Sequence, residues 1–229
     1  MVWALAVCNL LFDRRLYAMD KKSCLGVILS GGQSTRMGRD KALLELGKEL
    51  LITHAVKRLQ NQLDSIIINS ANRQLPFTKT TLPLVADLPQ VAGSGPLGGI
   101  FSAIVYAKSN GYQAIITIAV DTPFFPETYA RQLIEKSRAN EGKPILAATA
   151  AAWHPTFGLW PVALKDRLEH HLHTAQEKCI AAFARQQDAQ TVLFTPVPPY
   201  YIDPFFNINT PADLAEAEAL VMKIEEKQP

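Results

Sequence analysis

Apolar residues along this chain gather into short solid blocks, separated by longer stretches of mixed character. Leu25–Ser30, "LGVILS", runs to Gly31 and Gly32 with hardly a polar break. A block of that kind is expected where a strand is buried on both faces, as in a parallel sheet. Leu50–Leu63, "LLITHAVKRLQNQL", instead repeats its apolar positions at helical spacing, which sets Lys57, Arg58 and Gln60 on the other side. Ser65–Ser70, "SIIINS", is short and β-branched and predicts a second buried strand. Pro83–Asp87, "PLVAD", reads as a third, followed by the loop "GSGPLGG" and by "IFSAIVYAKSNG" as a helix stopped at Gly111. Ala114–Val120, "AIITIAV", is the clearest strand and ends at Asp121. "PETYARQLIEKSRANEG" predicts a helix opened by Pro126 and closed by Gly142.

This alternation predicts an α/β domain with a largely parallel sheet and helices on both of its faces. The second half is less regular. "PILAAT", "PTFGLWP" and "QTVLFTPV" read as strands, and "PVALKDRLEHHLHTAQEKCIAAFARQQ" as one or two helices. The last helix, "ADLAEAEALVMKIEEK", is well marked. Thr210 suits the N-cap, Pro211 the first helical position, and Asp213 brings negative charge to the positive helix end. No repeat or long linker divides the chain, and the break at Glu141–Pro144 reads as a loop inside one domain.

Composition changes this picture little. The 229 residues are 48% hydrophobic and 19% charged, enough for a sizeable core. The net charge of +2 argues against wholesale nucleic-acid binding, so any electrostatic work is local. Three cysteines without a Cys-x-x-Cys pair argue against a disulfide framework and a structural zinc site, and fit a reducing cytoplasm. "VWALAVCNLLF" is too short to span a bilayer and lacks a basic region before it, so neither a membrane helix nor a signal peptide is expected. Residues 1–22 are expected to form an N-terminal extension, and 23–229 a single domain. Within the extension, 1–18 read as dispensable or as the product of an upstream start codon, or else as a weak amphipathic helix lying on the domain.

Candidate chemistry concentrates after the strands. "LSGGQSTRMGRDKALL", Leu29–Leu44, exposes glycine backbone and cations directly beyond the first strand, where open α/β sheets bind ligands. It is neither the dinucleotide G-x-G-x-x-G nor a P-loop, because Arg39 rather than lysine follows Gly38. Gly31 and Gly32 let backbone N–H groups approach an anion, Ser34 and Thr35 add donors, Arg36 offers a fork and Lys41 a point charge. A basic surface loop is the plainer alternative. Asp121, at the end of the most apolar strand, suits Mg²⁺ shared with phosphate oxygens, or merely caps the turn before Pro123. Asn69 and Asp87 also end strands and would converge with Asp121 across a parallel sheet, though both types favour turns. Asn207 and Asn209 alternate with Ile208 in "FFNINTP" and would face one way if extended, where they could ligate metal or phosphate; on local grounds a satisfied turn before the helix is the readier explanation. His170, His171 and His173 read as a solvated helix face rather than a metal site, and His154 as a core or loop histidine. No G-x-S-x-G nucleophile elbow is present.

"LSGGQSTRMGRDKALL" resembles the nucleotide-binding loop of the molybdenum cofactor guanylyltransferases. "IIINSANR", "ADLPQVAGSGPLGG", "AVDTPFFP", "HPTFGLWP" and "NINTPADLAEAE" continue the resemblance in order, from about Leu25 to the last helix. It implies a three-layer α-β-α nucleotidyltransferase fold, Rossmann-like, with a mostly parallel sheet. It implies transfer of GMP from GTP to the phosphate of molybdenum-molybdopterin, with release of pyrophosphate. Carried over by residue, Leu29, Ser30, Gly31 and Gly32 would hold GTP through backbone contacts, and Arg36 and Lys41 would bind its phosphates. Asn69 and Asp87 would contact the nucleoside, with Asn72 competing with Asn69. Asp121 would ligate Mg²⁺, and Asn207 and Asn209 would stand on the metal or pterin side. Lys41, Arg36 and Asp121 would be the catalytic group. Ser30 replaces a frequent alanine, which backbone contacts should survive. Molybdoenzyme apoproteins or other cofactor-biosynthesis proteins are the macromolecular partners implied, with no nucleic acid and no membrane. A cytidylyltransferase acting on the same cofactor, a sugar-phosphate nucleotidyltransferase and a non-catalytic cofactor carrier are the alternatives.

Overall fold

A computed structural model describes residues 19–20, 22–31, 41–70, 82–196 and 202–225. Nine strands are formed among them: β1 (Cys24–Leu29), β2 (Glu45–Leu46), β3 (Glu49–Leu50), β4 (Ile66–Asn69), β5 (Leu84–Val85), β6 (Ala114–Ala119), β7 (Ile145–Ala148), β8 (Trp153–Pro161) and β9 (Gln190–Leu193). Six α-helices accompany them: α1 (Leu51–Gln60), α2 (Pro96–Ser109), α3 (Tyr129–Arg138), α4 (Lys165–Thr174), α5 (Ile180–Gln186) and α6 (Pro211–Glu225). Seven strands make one sheet in the order β5-β4-β1-β6-β8-β7-β9, and β2 pairs with β3 as a separate hairpin. Every pairing in the large sheet is parallel except those of β8, which runs antiparallel to β6 and β7.

The alternating strand side chains explain the three layers. On β1, Cys24 and Ile28 pack with α1 and α3 on one face, while Leu25, Val27 and Leu29 pack with α2, α4 and α5 on the other. All six β1 residues are buried, as a central strand covered twice requires. Gly26 leaves little room for a side chain: a Cβ would meet Leu59, Ile66 and Leu63 side chains at 3.0–3.1 Å. A third cluster, Leu44, Leu46, Leu51, Ile208 and Ala217, ties the β2–β3 hairpin to α6.

Several elements depart from their expected limits. The segment "GSGPLGG" is not wholly a loop: α2 begins at Pro96 and carries Gly98 and Gly99 in its first turns. Helix α3 begins at Tyr129, beyond a turn, so Pro126 does not open it. The short β2–β3 hairpin, turned at Gly47 with φ of 62°, has no counterpart in the sequence reading. Thr210, Pro211 and Asp213 do open α6, and Asp213 N–H donates to Thr210 Oγ1 at 3.2 Å. No helix among the described residues is long and apolar enough to cross a membrane.

Candidate active site

Strands β1, β4, β5 and β6 all deliver their carboxyl ends to one edge of the sheet. At the exit of β1 the Leu29 carbonyl accepts from Val120 N–H at 3.1 Å, and Ser30 N–H donates to the Asn69 carbonyl at 2.9 Å. The sheet therefore already uses two backbone groups that were expected to face a nucleotide. What remains here is Gly31, exposed and with open space at its Cβ position, and the Ser30 hydroxyl. That hydroxyl is shielded and has no hydrogen-bond partner among the described residues, which suits a ligand oxygen. Gly32, Arg36 and Asn72 lie outside the described residues.

Beside β1, on the β6 side, three distant segments meet. Lys41 Nζ donates to Asp121 Oδ2 at 2.8 Å and to Asn209 Oδ1 at 2.6 Å. Lys41 opens a single 3-10 turn, Lys41–Leu43, held by buried Ala42 and by Leu44 N–H on the Lys41 carbonyl at 3.1 Å. Asp121 lies two residues beyond β6, and its carbonyl accepts Ile208 N–H at 2.9 Å. Ile208 is fully buried, so its neighbours Asn207 and Asn209 are turned outward, as alternation predicts. Among the described residues it is Asn209, not Asn207, that touches Lys41. The Lys41 and Asp121 side chains keep 20% and 15% of their surface exposed, so the pair is open to a ligand.

On the other side of β1, Asn69 and Asp87 come together. Asn69 Nδ2 donates to Asp87 Oδ1 at 2.9 Å and to the Val85 carbonyl at 3.1 Å. Their place is set by the first turns of α2. A Cβ on Gly99 would lie 2.2 Å from Asn69 Oδ1, and one on Gly98 would lie 2.8 Å from the Val91 carbonyl. The glycine pair thus lets the helix start press against the polar pair, with the positive helix end nearby. The three polar residues expected at strand ends do stand at one edge of the sheet, but as two groups on either side of β1: Asn69 with Asp87, and Asp121 with Lys41.

The segment after Asp121 is held by residues whose role was not foreseen. Arg58 was placed on the polar side of its helix. Instead Arg58 Nε donates to the Phe125 carbonyl, and its guanidinium carbon lies 5.7 Å from the Phe125 ring centroid. Burial pulls the guanidinium below its usual pKa, partly opposed by Glu127. Gln62 donates to the Pro126 carbonyl at 3.1 Å and accepts Ala130 N–H at 2.9 Å. The only sequence signal is the proline and paired aromatics of "DTPFFPE", a turn rich in carbonyls that need donors.

The histidines divide. His171 corrects the reading of a solvated face: it is 4% exposed, and its Nδ1 lies 2.9 Å from Gln186 Oε1, while His170 and His173 are exposed. His154 stacks on Phe205 with centroids 4.4 Å apart. Burial holds its imidazole below the ordinary value, against the pull of Asp203.

No group of three or more His, Cys, Asp or Glu side chains among the described residues is arranged to hold a metal ion. An all-protein metal cage is thus absent from them, but the hard oxygens of Asp121 and Asn209 fit Mg²⁺ completed by phosphate. The ammonium and the Ser30 hydroxyl, which has no partner among the described residues, offer donors to a polyphosphate at this sheet edge, whereas the Asp121 carboxylate can approach one only across a cation.

A family model described as the MobA-like NTP transferase domain matches residues 26–191. A protein named molybdenum cofactor guanylyltransferase from Rhizobium meliloti is 39% identical over 208 residues, covering 89% of this chain and 94% of its own. One of the same name from Rhizobium johnstonii is 37% identical over 207 residues, covering 88% and 95%. The crystal structure of molybdopterin-guanine dinucleotide biosynthesis protein A from Archaeoglobus fulgidus superposes with a TM-score of 0.71, covering 87% of this chain and 99% of its own. At 19% identity that likeness speaks to the fold.

Proposed function

The chain belongs to the MobA-like NTP transferase family, and from that premise we propose that it transfers GMP from GTP to the terminal phosphate of molybdenum-molybdopterin. Pyrophosphate leaves, and the product is the guanine dinucleotide form of the cofactor. The observation that carries this reading is the meeting of Lys41, Asp121 and Asn209 beside the β1 exit. An oxygen of the acceptor phosphate attacks the α-phosphorus of GTP, the bond to the bridging oxygen breaks, and its electron pair departs with pyrophosphate.

Both reactants are anions, so the protein's task is charge neutralisation and in-line placement rather than covalent catalysis. Lys41, steered by its two acceptors, neutralises charge on the triphosphate as the bond breaks, and Arg36 joins it from the loop. At the β1 exit the Ser30 hydroxyl and Gly31 are the groups for the phosphates, with Gly32 assigned the same task, whereas the Leu29 carbonyl and Ser30 N–H are spent in the sheet. Asn69 and Asp87 hold the nucleoside on the β4–β5 side. Asp121 is the group to hold Mg²⁺, which when bound supplies Lewis-acid stabilisation of phosphate oxygens. Asn207 and Asn209 lie on the acceptor side. The transferase domain is 23–229, working in the cytoplasm, where molybdoenzyme apoproteins or other cofactor-biosynthesis proteins receive the product.

Purified protein with GTP, Mg²⁺ and molybdenum-molybdopterin should release pyrophosphate, and excess CTP should compete poorly. Preference for CTP would overturn the guanylyl reading in favour of a cytidylyltransferase. Failure to bind GTP would favour a carrier. Lys41→Ala should lose about 10²-fold in kcat, the scale of one transition-state donor, while its melting temperature holds. Near-normal turnover by a folded Lys41→Ala protein would remove that role.

A further inference from the structure

We propose that Asp213 is a positioning residue for Lys41, acting through Asn209; its effect on turnover rests on the reading of Lys41 given above. Asp213 sits at the third position of α6, where its sequence suggests only a favourable charge at a helix start. The structure gives it more to do. Its N–H donates to Thr210 Oγ1 at 3.2 Å, and its Oδ2 accepts Thr210 N–H at 2.8 Å. Those two bonds complete a reciprocal N-terminal cap. The same Oδ2 accepts a further N–H, that of Asn209, at 2.8 Å. Asn209 lies outside the helix, so the cap does not need this bond.

Its consequence is at Lys41. The Asn209 backbone is fixed on one side by Asp213 and on the other by Ile208, whose N–H donates to the Asp121 carbonyl and whose side chain is fully buried. With both neighbours held, the Asn209 amide projects in one direction, and its Oδ1 receives Lys41 Nζ at 2.6 Å. An ammonium has three donors on a flexible stem. Asp121 and Asn209 take two of them, which leaves the third aimed by geometry rather than by chance.

The test compares wild type, Thr210→Ala, Asp213→Ala, Asp213→Asn, Asn209→Ala and the Asn209→Ala/Asp213→Ala double variant. The first readout needs no substrate: the rate of Lys41 acetylation by an N-hydroxysuccinimide ester, read by peptide mass spectrometry. Asp213→Ala should raise it by up to about tenfold, the worth of one ordinary hydrogen bond. Asp213→Asn keeps the oxygen acceptor and should stay within about twofold of wild type. Thr210→Ala removes the cap hydroxyl but not the Asn209 bond, so the melting temperature should fall while Lys41 reactivity stays at the wild-type level. In the Asn209→Ala background, Asp213→Ala should add nothing. Equal rises in Thr210→Ala and Asp213→Ala, or no rise in Asp213→Ala, would overturn the proposal. In turnover, Asp213→Ala should lower kcat by a similar factor with little change in KM for GTP. A raised acetylation rate with unchanged kcat would keep the positioning and remove the catalytic role assigned to Lys41.

Discussion

Gly99→Ala tests whether the helix start and the nucleoside-side polar pair are built as one unit. A methyl at position 99 would lie 2.2 Å from Asn69 Oδ1, 3.1 Å from Asn69 Cγ and 3.3 Å from Leu29 Cδ2. The amide would have to retreat by about 1 Å to reach an ordinary contact. Asn69 is 3% exposed, and its Nδ2 is committed to Val85 and Asp87 at 3.1 and 2.9 Å. A movement of that size spoils both bonds, and a buried polar group left unsatisfied costs roughly 1–3 kcal/mol. Alanine returns up to about 1 kcal/mol of helix propensity relative to glycine. The balance is a net loss, at most about 3 kcal/mol and about 1 kcal/mol at mid-range, together with weaker GTP binding, because Asn69 and Asp87 are displaced together. Urea unfolding gives the first quantity and titration calorimetry with GTP the second. A midpoint equal to or above wild type, with unchanged GTP affinity, would refute the reasoning.

Three further outcomes are expected. Burial pushes the Cys24 thiol up to about 12, whereas Cys179 is partly exposed, so a thiol reagent at pH 8 should label Cys179 and spare Cys24 until the chain is unfolded; rapid labelling of native Cys24 would contradict its burial. His154 titrates below its ordinary 6.5 in the folded chain, so the unfolded chain binds that proton first as pH falls. Stability from this group is then complete above about 6.5 and declines as pH drops through the folded value; His154→Gln should flatten that limb of the stability curve, and an unchanged slope would exclude His154 as its source. Arg58→Ala removes a donor from the Phe125 carbonyl and its contact with the ring. It should lower stability by roughly 1–3 kcal/mol and slow turnover by loosening the segment after Asp121; Lys should not restore it, lacking the planar fork, and full activity in a stable Arg58→Ala protein would dissolve the clamp.

Much of the fold was legible because burial imposes local patterns. Solid apolar blocks such as "LGVIL" and "AIITIA" fit strands covered on both faces, and both proved to be central strands of the sheet. The cap of α6 was readable for the same reason, since N-cap chemistry involves residues three apart. Limits failed where a local signal was ambiguous. Proline and glycine in "GSGPLGG" mark a loop as well as they mark the first turn of a helix, and the packing of Gly98 and Gly99 decided for the helix. Arg58 was misplaced because helical periodicity sees a charge as a solvent-facing residue, while the unpaired carbonyl of Phe125 could draw it inward. His171 failed likewise: the other two histidines of its helix are exposed, whereas Phe183 of α5 packs against its ring and Gln186 meets its Nδ1.

The sequence by itself determined which residue types stand at strand ends, because each end follows directly from where an apolar block stops. It also carried the ordered motifs that place the chain in its family. It did not determine that Lys41 would meet partners 80 and 168 positions away, nor that one carboxylate would serve both a helix cap and the residue before it. Those facts depend on strand order. β1 lies between β4 and β6 because the most apolar strands must occupy the doubly covered centre of the sheet, and that placement sets the polar ends of its neighbours on either side of the β1 exit.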